Sequence, residues 1–214
     1  SHLEILQRSK TMARGRGTLL RMQKSRLEAF SDGVIAIVIT IMVLEMQVPQ
    51  GDDWSALLPH VPTFLAYVLS FTYVGIYWNN HHHMMHTVKR VNGKILWANL
   101  HLLFWLSLIP FTTAWIGEHH FNSFPMMLYG LVLLMNAIAY FILQKVILID
   151  HGKDSVLAKA IGKDYKGKLS VVLYLIAVIV TKYSVEISGA IYILVALIWL
   201  IPDKRIERTF NEKE

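Results

Sequence analysis

The stretch that decides the fold is "RLEAFSDGVIAIVITIMVLEM", Arg26 to Met46. After Phe30, Ser31 and Asp32 it runs apolar for about twelve residues, broken only by Thr40, until Glu45. Twelve helical residues rise roughly 18 Å, whereas a bilayer's hydrocarbon core is about 30 Å thick. A helix this apolar, with charge so near each end, is expected where protein rather than lipid surrounds its first turns. The reading is therefore a central helix.

Composition agrees with a membrane setting. Of 214 residues, 54% are hydrophobic and 17% charged, against about a quarter charged in a soluble domain. Mean hydropathy is +0.43. Without cysteine, disulfides and thiolate metal sites are excluded. The net charge of +6 would suggest nucleic acid in a soluble protein, but here the basic residues first serve as topology signals.

Six apolar segments follow one another, at about 27–48, 61–85, 94–117, 122–149, 168–182 and 186–202. The last two are short for a bilayer. Trp54, Trp97, Trp115, Tyr183 and Trp199 fall near segment ends, as interfacial residues do. Pro110 is expected to kink the third segment. Basic and non-basic links alternate. Lys89, Arg90 and Lys94 follow segment two; Lys153, Lys159, Lys163, Lys166 and Lys168 follow segment four. The N-terminal arm and the tail are basic too, while "QGDDW", "GEHHFNSF" and "TKYSVEISG" are not. The positive-inside rule then puts both termini in the cytoplasm, as an even number of spans requires. The expected architecture is an all-α integral membrane protein. A basic arm (1–25) leads into one six-helix domain (26–203) and a charged cytoplasmic tail (204–214). Ser1 in place of Met suggests processing or an appended stretch, with Met12 a candidate natural start.

On a helix through Arg26–Met46, Ile37, Ile41 and Leu44 share a face. Thr40 borders it, and Phe30 lies one heptad before Ile37. Asp32 is costly inside a membrane helix and needs partners, because Arg26 is too far along the helix to bridge it. Segment two returns to the same side and ends "YWNNHHHMMH"; segment three begins there with "LWANLH". Trp78, His81 and Asn99 are thus expected at the depth of Asp32, in a polar network at the inner end of the bundle.

"RLEAFSD" matches an Arg-x-x-x-Phe-Ser-Asp signature. With "GVIAIVITIMVLEM", the Trp-x-x-His of Trp78–His81 and "NLHLLFWLSLIPF", the chain resembles the endosomal and lysosomal potassium channel family, transmembrane protein 175 type. The motifs cover roughly Arg26 to Phe111. The chain looks like a single-repeat bacterial member, and so like a multi-pass protein of the bacterial inner membrane. The resemblance implies a homotetramer whose first helices line a central pore. By motif position Ile37 is the implied constriction, Ile41 and Leu44 further apolar pore positions, and Thr40 the nearby hydroxyl. Ala36 stands where some members carry serine. No Thr-Val-Gly-Tyr-Gly filter is present. The implied function is passive, potassium-permeable cation conduction through a hydrophobic constriction. Potassium is then the permeant species, lipids the surroundings, and no cofactor or nucleic acid is called for. Glu45, Asp52 and Asp53 would either raise local cation concentration or form a solvated rim.

"HHHMMH" invites a metal reading, since His82 and His86 are i, i+4 and His83 and His86 are i, i+3. Without an H-E-x-x-H order or cysteine, a polar helix end with one network histidine is the better reading, and no metal site is assigned. The rival function is a proton-coupled transporter or proton leak using His101 and the His81–His86 cluster. No nucleophile, metal set or phosphate loop suggests an enzyme.

Overall fold

The computed structural model describes residues 2–152, 155, 157, 158 and 164–200, with side chains from residue 23 onward. The basic residues 153, 159 and 163 and the tail 204–214 lie outside the described residues.

The described chain is helical. Helix α1 (His2–Leu44) is continuous from the basic arm into the apolar stretch. It stops at Leu44, four residues before the expected end, and Pro49 bars any helix from running on through the loop. After a loop, Asp53 caps α2 (Trp54–Leu57) by accepting from Ala56 N at 3.1 Å. A 3-10 turn (Leu58–His60) leads into α3 (Val61–His86). Pro59 and Pro62 fall in first turns, where a missing N–H costs nothing.

The third segment is two helices, α4 (Gly93–Leu106) and α5 (Ile109–Glu118). Pro110 sits in the first turn of α5, so the expected kink is a full break. At the break the Trp105 carbonyl accepts from Leu108 N at 3.2 Å and from Asn136, buried in α6 (Ser123–His151), also at 3.2 Å. A polar side chain buried in the next helix thus reinforces the irregular turn just before the proline. The last two helices are α7 (Tyr165–Val180) and α8 (Val185–Leu200).

Among the described residues four runs are long and apolar enough to cross a membrane: Gln23–Leu44, Trp54–His86, Gly93–Glu118 and Ser123–His151. The sixteen residues of α7, and the same number in α8, rise only about 24 Å each. Taken with these shorter helices, the six-segment reading matches the helices observed.

Two cores hold the bundle. One joins α1, α3, α4 and α6 through Ile35, Val38, Met42, Met84, Leu102, Leu106 and Leu143. The other joins α3 and α6 to α7 and α8 through Tyr73, Tyr129, Leu133, Tyr174 and Tyr192. The Tyr73 hydroxyl donates to the Tyr192 carbonyl, and the Ser70 hydroxyl lies 3.0 Å from that of Tyr129. Glycine matters at the α3–α5 crossing, where a Cβ on Gly117 would lie 2.6 Å from Thr63 Cα. Backbone cannot retreat as a side chain can. Gly117→Ala is expected to separate the two helices and cost about 1–3 kcal/mol. Thermal unfolding in detergent checks this. Gly75→Ala in α3, where a Cβ meets nothing within 4 Å, should be near neutral.

Candidate functional site

Within the subunit, α1 has two unlike faces. Leu27, Ser31, Ile35, Val38 and Met42 recur at helical spacing and are buried against α3, α4 and α5. Phe30, Ile37, Thr40, Ile41 and Leu44 lie on the other side and are exposed, Ile37 by 59% and Leu44 by 75%. The expectation of a helix surrounded by protein is therefore not met inside one chain. Half of α1 is left open, because α7 packs on α6 and α8 packs on α7, α3 and α6 rather than over α1. Small residues interrupt the open face: Gly33 and Ala36 are both exposed. Thr40 donates its hydroxyl to Ala36 O at 2.9 Å. With its proton held by its own helix, the Thr40 oxygen keeps its lone pairs for an outside donor or cation.

At the Arg26 end of the apolar stretch, two polar connections tie α1 to its neighbours. Trp78 Nε1 of α3 donates to Asp32 Oδ1 at 3.1 Å. Behind it, the His81 Nε2 and Asn99 Oδ1 are 2.7 Å apart, Asn99 Nδ2 donates to Ser31 Oγ at 2.9 Å, and Ser31 donates to Leu27 O at 2.9 Å. All three side chains of that relay are essentially dry. Because the Asn99 nitrogen is spent on Ser31, its oxygen must accept, which makes His81 the Nε2–H tautomer. Asp32, Trp78, His81, Asn99 and Ser31 thus come together, in two arms rather than one ring. Arg26 is exposed and joins neither. Lys24, two residues earlier and on the opposite side of the helix, reaches the His86 carbonyl at 3.3 Å and Glu28 at 3.7 Å.

The remaining candidates scatter. Glu45 is exposed in the turn after α1. Asp53 is bound as a cap, its carboxylate also accepting from Ser55 Oγ at 2.9 Å. The Ser55 hydroxyl, then the Ala56 N–H, hold its pKa below the usual carboxylate value, so it stays charged as pH falls into the mildly acidic range. Asp52 is exposed beside it. His82 stacks on Trp78 at 5.9 Å and meets the His86 ring edge-on at 4.8 Å. Among the described residues no three His, Cys, Asp or Glu side chains converge on a metal position. His101 accepts from Trp105 Nε1 at 3.0 Å on its own helix.

One latch escaped the sequence reading. Asp150, at the end of α6, receives Arg90 Nε at 3.1 Å and Asn92 Nδ2 at 2.7 Å, and His151 accepts from Lys89 N at 3.0 Å. Asn92 in turn caps α4 through Ile95 N. The signal was the acid Asp150 ending an apolar segment on the basic side of the bundle, opposite "KRVN".

Comparison with known proteins is decisive on ancestry. Over 191 residues the chain is 57% identical to a protein named potassium channel from Chryseobacterium sp. strain P1-3, covering 89% of this chain and all of that one. The family model described as endosomal/lysosomal potassium channel TMEM175 matches residues 26–110.

The chain belongs to the TMEM175 family.

The crystal structure of a lysosomal potassium-selective channel TMEM175 homolog from Chamaesiphon minutus superposes with a TM-score of 0.75. It shares 31% identity and is covered over 97% of its length, with 84% of this chain. Human TMEM175, named an endosomal/lysosomal proton channel, is 38% identical over 96 residues, which is 39% of this chain and 19% of the human one. TMEM175 relatives are therefore named for two different permeant ions, and the matched family segment spans both the open face of α1 and the Asn99 relay.

Proposed function

We propose that the chain is a passive, potassium-permeable channel of the bacterial inner membrane. Four copies would assemble with the open faces of α1 around a common axis. The observation that carries this reading is the division of α1, one half packed into its own subunit and one half bare, with small and hydroxyl residues among branched apolar ones. Lipid alone does not call for Gly33, Ala36 and Thr40 on that face, whereas close helix approach does. The bacterial relatives named potassium channels support the choice of ion.

In this arrangement residues 26–203 form the channel domain, and the basic links put both termini, including the arm and tail, in the cytoplasm. Four Ile37 side chains would narrow the pore, with Ile41 and Leu44 lengthening the apolar stretch toward the outside. Thr40 oxygens, and waters they hold, would face an ion that has crossed the ring. Selection would rest on dehydration and size, since no carboxylate stands at the ring. Glu45, Asp52 and Asp53 would lend the outer mouth negative charge. The Ser31–Asn99–His81 relay and the Asp32–Trp78 bond would hold α1 at a fixed rotation, so that Ile37 faces the axis. The mechanism draws on no cofactor.

Proteoliposomes test it. Potassium should move down its gradient with neither a proton nor a sodium gradient, and His101→Ala should leave that flux within about twofold of wild type. Flux that needs a second gradient and collapses in His101→Ala would favour a coupled transporter instead. The proton channel named among mammalian relatives supports a second reading, proton passage along the same pore. A pH-sensitive dye inside the same vesicles separates it: acidification without potassium movement marks protons as the permeant ion.

A further inference from the structure

A separate, partly open cavity lies between α3, α6, α7 and the end of α8, away from α1. Tyr77, Tyr140, Phe141, Tyr174 and Trp199 supply aromatic wall from all four helices, and among the described residues Asp164 is the one charged residue lining it.

These side chains are held in place by bonds that leave the wall aromatic. Tyr77 and Tyr140 meet edge-on with centroids 6.1 Å apart. Trp199 Nε1 donates to Ser170 Oγ at 2.8 Å, and Ser170 to Lys166 O at 2.8 Å, which fixes the indole. Asp164 caps α7 by accepting from Gly167 N at 3.1 Å through one oxygen. A carboxylate offers about four acceptor positions, so capacity remains.

Chemistry then narrows the occupant. An anion would be repelled by Asp164. A purely apolar guest would strip water from that carboxylate and return nothing. A bare metal ion would find rings where it needs oxygen ligands. A positive charge on an apolar body satisfies both features, the carboxylate by charge and the rings through their electron-rich faces. We propose that this cavity binds a hydrophobic organic cation, an ammonium group carried on an aromatic or alkyl body.

Calorimetry on the purified full chain in detergent tests it with phenylpropyltrimethylammonium and the neutral isostere in which carbon replaces nitrogen. The cation should bind at least about tenfold more tightly than the isostere. Asp164→Asn should remove that preference. Asparagine keeps the capping oxygen and tolerates the positive φ of 44° here. Should that variant fail to fold, Trp199→Phe gives a second reading: cation binding weakens several-fold while the isostere is little changed. No binding, equal binding of both probes, or wild-type cation affinity in Asp164→Asn would each overturn the proposal. The last would place the cation elsewhere, such as the pore. None of these measurements depends on ion flux.

Discussion

Ile37→Asn is expected to raise potassium flux through the reconstituted protein about tenfold, which corresponds to a barrier lower by about 1.4 kcal/mol. A ring of branched alkyl groups sheds water, and an ion crossing it loses solvation with no replacement ligand. Four amides at the same level hold water and offer oxygens, so the constriction stays wet. Selectivity for potassium over sodium should fall at the same time, because the dehydration step that separates them is eased. The substitution is unusually clean. Ile37 is 59% exposed in the subunit, so no packed core within the chain is disturbed. Unfolding of the solubilised subunit should therefore be close to that of wild type while flux changes. Ile37→Phe should act in the opposite direction and reduce flux. If Ile37→Asn conducts as wild type does, the narrowest point is not at this residue.

Asn99→Leu should destabilise the fold by about 2–3 kcal/mol, and flux should fall with it. Leucine keeps asparagine's branching and heavy-atom count but is bulkier, so the loss combines broken hydrogen bonds with some overpacking. His81 keeps an N–H with no acceptor in a dry site, and Ser31 loses its donor. An orphaned buried donor costs more than the bond it made was worth. Removing both ends should be milder than the sum: His81→Leu with Asn99→Leu leaves no stranded imidazole, and a double-mutant cycle reads that coupling directly. Thermal unfolding in detergent gives the stability, and vesicle flux tells whether α1 has rotated. A stable Asn99→Leu with altered flux would mean that the relay orients the helix without holding the bundle. An unchanged melting point and unchanged flux would remove the relay from the account.

Much of this site was legible before any coordinates. Asp32 in an apolar helix demanded partners, and helix direction put Trp78, His81 and Asn99 at its level. What spacing could not divide was the network itself. Ser31 and Asp32 are adjacent residues about 100° apart on a helix, so one takes the buried Asn99 arm and the other the Trp78 arm. The third segment reads as one span because the hydropathy window passes smoothly over Pro110. Pro110 announced a kink there, but only the structure shows Asn136, thirty-one residues from Trp105, donating to the Trp105 carbonyl across the irregular turn. Asp150 takes on a role only in the tertiary structure, where the α3–α4 link lies against it.

Sequence alone carried the helical class, the apolar segments and the stripe that joins Phe30, Ile37, Ile41 and Leu44, because these depend on local periodicity and on the transfer of side chains out of water. Only the tertiary structure decided which half of α1 is buried in its own subunit. Both halves are apolar enough for either role, and that choice rests on where α3, α4 and α5 pack, a contact between residues far apart in the chain.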